Sequence, residues 1–166
     1  MENIEKSCLL IIDIQKGFIN KHTKHILPKI NHLLDQFDII FATKFYNIEG
    51  SFYDTLINWH ELRKNTEEFE LAFTTDKNLN IIEKSVYTCV NSDFIKELKH
   101  NNIKKVYICG IDTDICVTKS AVDLFENGII PIILENYCAS TGGKQAHNNG
   151  ISTLKRYIGS NQIIKF

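Results

Sequence analysis

Apolar positions along this chain fall into short continuous runs, separated by stretches with helical spacing. Ser7–Asp13 is apolar almost without a break and ends in a carboxylate, which reads as a strand buried on both faces. Ile26, Leu27, Ile30, Leu33, Leu34 and Phe37 then recur at helical spacing, predicting a helix over His25–Phe37 with Pro28 in its first turn. Asp38–Thr43 is a second strand-like run and Leu79–Lys84 a third. Between them Phe52, Leu56 and Trp59 predict one short helix, after which the pattern fails. Lys44–Lys77 is therefore expected to wander over the surface and shape a pocket wall. Ser92 is placed to cap a helix holding Phe94, Ile95 and Leu98. Val106–Cys109 is a fourth strand, stopped by Gly110, and Val117, Ala121, Leu124 and Phe125 return to helical spacing until Gly128. Ile129–Leu134 predicts a strand, Lys144–Ile158 a helix and Gln162–Ile164 a short edge strand. Regular alternation of this kind predicts one α/β domain over residues 1–166: a doubly wound, mainly parallel, Rossmann-like sheet of about six strands with helices on both faces.

In such a sheet every strand's C-terminal end points the same way, toward the rim where α/β folds hold ligands. Asp13, Lys84 and the loop Gly110–Cys116 each follow a predicted strand, so a carboxylate, a lysine and a cysteine share one rim. Thr113 is a candidate N-cap, Asp114 falls in the first helical turn, and Cys116 lies beside free backbone N–H groups. That position favours a thiolate and offers donors for an oxyanion. Each residue also has a plainer reading. Cys116 fits a small core hydrophobe, Asp13 fits a cap for the turn Gln15–Gly17, and Lys84 alone fits the surface.

Composition narrows the class. With 166 residues, 43% hydrophobic and 23% charged, the chain can bury an ordinary globular core. A net charge of −1 leaves no footprint for nucleic acid or an anionic membrane. No apolar run reaches the roughly 20 residues of a membrane span. Met1–Ser7 is polar with mixed charges and carries no signal-peptide pattern, so a cytoplasmic protein is expected. Five cysteines, an odd number without a C-x-x-C pair, argue against a disulfide framework and a cysteine zinc site. Cys8, Cys109 and Cys138 sit in or just after strand-like runs and read as structural.

Three motifs in order carry a family resemblance over Cys8 to about Ile158: Asp13-Ile-Gln-Lys-Gly-Phe18, Lys84-Ser-Val-Tyr-Thr88 and Gly110-Ile-Asp-Thr-Asp-Ile-Cys-Val117. Ala121, Asp123, Gly128 and Glu135-Asn-Tyr-Cys-Ala-Ser140 follow the last of them. The chain resembles the isochorismatase-like cysteine hydrolases, a superfamily that includes nicotinamidases and N-carbamoylsarcosine amidase. The resemblance implies Cys116 as nucleophile, Asp13 as the group that takes and returns its proton, and Lys84 as the cation that holds Asp13. It implies an oxyanion hole from the N–H groups of Asp112 and Cys116, a cis peptide at Ile111–Asp112, and Phe18 and Tyr87 against the substrate. It also implies a small-molecule substrate, a homo-oligomer (dimer or tetramer) and no organic cofactor. The implied reaction is attack of sulfur on an amide-like carbon, loss of ammonia or an amine, and hydrolysis of a thioester-like intermediate.

Where nicotinamidases carry a metal-binding Asp-x-His, this chain has Thr43-Lys-Phe-Tyr-Asn47, with Lys44 and Tyr46 in the ligand places. His60 alone is a poor metal site and reads as an exposed helical residue, so no metal is expected. His147 matches a family histidine and reads as a structural hydrogen-bonding group. Asn136-Tyr137 replaces the family's Asp-Ala near the pocket. Two other functions stay open: an isochorismatase-type vinyl-ether hydrolase, and a non-enzymatic binding module or thiol redox sensor.

Overall fold

A computed structural model describes residues 6–166, so the polar start Met1–Glu5 lies outside the described residues. Six parallel strands form one sheet in the order β3-β2-β1-β4-β5-β6. They are β1 (Lys6–Ile12), β2 (Ile40–Phe45), β3 (Asn80–Lys84), β4 (Ile103–Ile111), β5 (Ile130–Ala139) and β6 (Ile163–Ile164). The helices are α1 (Leu27–Leu34), α2 (Phe52–Thr55), α3 (Ser92–His100), α4 (Thr118–Glu126) and α5 (Lys144–Ile158). Right-handed crossovers put α1 on one face and α3, α4 and α5 on the other. The central strands are covered on both sides, which is why β1 is apolar throughout from Cys8 to Ile12 and wholly buried there. Among the described residues no helix is long and apolar enough to cross a membrane.

Several element ends differ from the sequence expectation. β4 begins at Ile103 and runs to Ile111, because Lys104 and Lys105 belong to the strand while keeping contact with solvent. β5 continues through Glu135 and Asn136 to Ala139, past the polar pair that ends the apolar run, and its ladder with β4 shifts register between Ile108 and Gly110. β2 lies two residues later than expected. α1 starts at Leu27 after a separate tight turn and ends at Leu34, where the N–H groups of Gln36 and Phe37 fold back onto Leu33 and Leu34. Asn91, not Ser92, caps α3, because its carboxamide oxygen accepts from the N–H groups of Asp93 and Phe94. Phe52, Leu56 and Trp59 do not share a face: Phe52 and Leu56 are about three-quarters exposed, and Trp59 turns inward beyond the end of α2.

Two glycines set distances that the rest of the fold needs. At Gly110 (φ +129°) a Cβ would sit 2.0 Å from the Ile12 carbonyl oxygen, so only glycine lets β4 close on the end of β1. At Gly150 in α5 a Cβ would fall 2.7 Å from the backbone of Asp114, so α5 presses bare backbone against the turn after β4. The sheet order reverses between β1 and β4, and the C-terminal ends of these two strands flank the crevice where such folds place their chemistry.

Candidate active site

β1, β3 and β4 each deliver one residue to that crevice. Asp13 follows β1 with φ +48°, a left-handed backbone that aspartate tolerates better than most side chains. Its side chain is fully buried and does not cap the following turn. One carboxylate oxygen accepts from the Thr43 hydroxyl at 2.5 Å and the other from Lys84 Nζ at 2.6 Å. The Asp13 N–H in turn donates to Thr43 Oγ1 at 3.0 Å, so a single β2 residue fixes both ends of Asp13. Gln15 anchors the same corner: its amide nitrogen donates to the carbonyls of Phe45 and Phe69, and its oxygen accepts from the Phe45 N–H.

Lys84 is buried, not solvated, and all three of its protons have acceptors. They go to Asp13, the Val86 carbonyl at 3.2 Å and the Tyr87 carbonyl at 3.1 Å. Burial, the largest single cause, draws the ammonium's pKa down, but Asp13, Cys116 and Cys89 together outweigh it and hold Lys84 above the ordinary lysine value.

Cys116 sits in a five-residue turn, Thr113–Val117, that joins β4 to α4. The Ile111–Asp112 peptide ahead of it is cis. The turn is wider than an α-turn because the Val117 N–H reaches back five residues to the Asp112 carbonyl. Thr113 is not the cap. Asp112 holds that position, and the Thr113 hydroxyl is engaged by His147 Nδ1 on α5 at 2.8 Å. The turn is further tied by Ser140 donating to Asp114 at 2.6 Å and by the Thr118 hydroxyl donating to the Thr113 carbonyl at 2.6 Å. Asp112 itself is latched to the loop after β5, its carboxylate accepting from the Thr141 N–H at 2.6 Å and the Thr141 hydroxyl at 2.7 Å. Burial pushes the Asp112 carboxyl up to about 6; the two Thr141 donors pull it down, and Asp114 and Asp13 add to the rise.

The expectation of a resting thiolate at Cys116 is corrected. Burial pushes this thiol well above the ordinary cysteine range. The Asp13 carboxylate, by its charge and as an acceptor for the thiol, acts in the same sense, and only the Lys84 ammonium opposes them. Cys8, Cys89, Cys109 and Cys138 are also buried, and burial raises each of them. Among the five, only Cys116 lines the cavity bounded by Phe18 and Tyr87; Asp13 and Lys84 lie buried behind that lining.

That cavity encloses about 300 Å³. Phe18, Tyr87, Asp112 and Cys116 line it. Phe45, Tyr53 and Trp59 complete an aromatic wall that the sequence reading missed, Phe18 and Trp59 stacking with centroids 6.1 Å apart. Tyr53 meets Tyr87 edge to face at 5.3 Å. Burial raises both phenols, so they stay uncharged. The charged residues on the lining are Asp112 and Glu61, and Glu61 accepts from the Trp59 indole at 3.3 Å.

The donors after β2 do not fit a metal ion. Lys44 pairs with Glu70 at 3.0 Å across the Phe69 ring, and Tyr46 packs on that same ring. Farther along, Asp54 accepts twice from Arg63 at 2.8 Å and once from Asn47 at 2.9 Å. These bonds, Arg63 first among the causes, hold the Asp54 carboxyl down at about 2. His60 is exposed and lies outside any helix, with Nδ1 3.4 Å from Asp54. Arg63 thus occupies the carboxylate that a cation would need. Among the described residues no three His, Cys, Asp or Glu side chains come together to hold a metal.

An isochorismatase domain model matches residues 7–162. The chain is 26% identical over 171 residues to isochorismatase family protein 1B of Dictyostelium discoideum, covering 96% of this chain and 74% of that protein. Its fold is similar to that of an isochorismatase-like hydrolase from Alkaliphilus metalliredigens, with TM-score 0.83, 19% identity, and coverage of 96% and 94% of the two chains. It is equally similar to a pyrazinamidase of Pyrococcus horikoshii in complex with zinc, with TM-score 0.83, 23% identity, and coverage of 96% and 99%.

Proposed function

This chain belongs to the isochorismatase family, and from that membership we propose that it is a cysteine hydrolase of small, uncharged amides, working without a metal. The observation that carries this reading is the buried Asp13–Lys84 pair, its side chains 0% and 4% exposed, beside Cys116, the one thiol on the lining of the aromatic cavity. Removing both charges from water is costly, and apolar side chains would serve the sheet as well or better. A fully bonded ion pair under a nucleophile fits proton transfer.

Because Cys116 rests as a thiol, Asp13 takes its proton as the sulfur attacks the substrate carbonyl. The developing oxyanion is received by the N–H groups of Asp112 and Cys116. As the intermediate collapses, the C–N bond breaks, Asp13 gives its proton to the departing nitrogen, and an acyl-thioester remains on Cys116. Asp13 then deprotonates a water that attacks the thioester. The C–S bond breaks, the acid leaves, and the proton returns to sulfur. Lys84 stays protonated throughout. Its bonds to the Val86 and Tyr87 carbonyls keep it in place while the charge on Asp13 changes.

The cavity lining supports an amide over the vinyl ether of isochorismate. Isochorismate carries two carboxylates, and no lysine, arginine or histidine lines this space, whereas Asp112 and Glu61 do. The five aromatic rings suit a flat apolar body beyond the amide. The test is a panel of primary carboxamides and isochorismate assayed against the protein and Cys116→Ala. Turnover of a neutral amide that disappears in the variant is expected. Turnover of isochorismate that survives in Cys116→Ala would overturn the reading.

A further inference from the structure

We propose that this chain carries a second binding site, for a small polyanion such as a diphosphate, in the basic cavity on the far side of the Cys116 turn. The cavity encloses about 450 Å³ and gathers Lys21, Lys29, Lys144, Lys165, His22 and His25. His147 also lines it, and among the described residues Glu135 is the one carboxylate against them. The chain as a whole has net charge −1, so this concentration of cations is local. It is assembled from four separate pieces: the segment before α1 with its first turn, the end of β5, the start of α5, and the segment after β6. No residue is shared with the lining of the catalytic cavity.

The four lysines have no carboxylate partner among the described residues. Other lysines on this protein, such as Lys16, Lys44, Lys64 and Lys119, are paired with carboxylates. Among the described residues Lys21, Lys144 and Lys165 make no ion pair, and Lys29 reaches only the Asn136 carbonyl at 3.3 Å. Gly143, at φ +90°, lies close under the His22 ring: a Cβ there would stand 3.4 Å from it, so the backbone lets His22 lean over the cavity. α5 opens against this space with Lys144 and with no acid in its first turn and no side-chain cap. Like charges gathered around a concavity repel one another when it is empty and focus a field that favours a multivalent anion. Spread over several directions, they suit a ligand with two or more charges better than a single carboxylate.

The cavity also touches the nucleophile's support. His147 holds Thr113, and Ser140, on the lining, holds Asp114. The inference does not depend on the hydrolase reading, and its test needs no substrate. Pyrophosphate is titrated against the whole chain by calorimetry at low ionic strength, with sodium chloride of matched ionic strength as the control. Lys144→Gln/Lys165→Gln and Lys21→Gln/Lys29→Gln are compared as two independent pairs at exposed positions, each checked for an unchanged far-ultraviolet spectrum. Saturable binding that weakens about tenfold in each pair, and that is lost in neither to misfolding, is expected. Heat no different from the chloride control, or a dissociation constant unmoved in both pairs, would overturn the proposal. Vesicles of anionic lipid form a separate arm: binding to them without binding to pyrophosphate also overturns it.

Discussion

Replacing Lys84 by Met keeps an unbranched side chain, one atom shorter, and removes its charge, so it tests what the ammonium contributes. Asp13 would be left fully buried, with the Thr43 hydroxyl and its own backbone as neighbours but no cation. Stranding one member of a buried ion pair costs about 3–5 kcal/mol. The vacated carbonyls of Val86 and Tyr87 add to that unless water reaches them. Against a total stability of about 5–15 kcal/mol, such a variant is marginal near neutral pH. Urea unfolding at pH 7 measures the loss. The double variant Asp13→Asn/Lys84→Met removes both charges and is expected to recover most of the loss, a coupling well outside additivity. A single variant that loses under about 1 kcal/mol at pH 7, or a double variant whose loss is the sum of its parts, would refute the view that this pair is tightly coupled.

Three further outcomes follow from the site. Iodoacetamide should modify Cys116 before the other four thiols, at a rate that keeps climbing through pH 9; a plateau already reached at pH 6–7 would mean a preformed thiolate and contradict the burial argument. Asp112→Asn removes the charge and keeps the bond from the Thr141 N–H, its carboxamide nitrogen donating to the Thr141 hydroxyl in place of the bond received from it. Since the folded carboxyl is raised to about 6, its ionisation above that pH disfavours the fold, and the variant should gain on the parent by on the order of 2 kcal/mol between pH 4 and pH 8, read from urea midpoints. Trp59→Ala opens the aromatic wall opposite Phe18, and KM for an aromatic amide should rise about tenfold or more while the Cys116 alkylation rate changes little.

The end of β1 is legible because a run of buried apolar residues closes at Asp13, and a parallel sheet forces the C-terminal ends of all its strands onto one rim. Asp13, Lys84 and the Cys116 loop were placed together on that argument. Their meeting is geometric: Lys84 reaches Asp13 across β2, at 2.6 Å. Thr43 went unread as a partner of Asp13, since a threonine in a strand carries no mark of the hydroxyl's target. The resting state of Cys116 was misjudged because the local helix start is visible in sequence, while the depth of burial and the neighbouring carboxylate are tertiary facts. Trp59, Tyr53 and Phe45 were out of reach for the same reason. Phe45 closes β2, whereas Tyr53 and Trp59 come from a stretch without period, and their convergence on Phe45 depends on the Asp54–Arg63 and Asn47 bonds that fold it. Exposed Phe52 and Leu56 show how far an apolar pattern there misleads.

The excursion between β2 and β3, residues 46–79, gives the cavity Tyr53, Ile57, Trp59 and Glu61 yet holds neither the acid, the lysine nor the thiol. On the proposed function, one replaceable excursion thus supplies part of the wall that selects a substrate, while Phe18, Phe45, Tyr87 and the reacting side chains belong to the rest of the chain. Grafting a different excursion onto the same ladder could redirect the catalyst to another molecule while leaving its proton shuttle untouched.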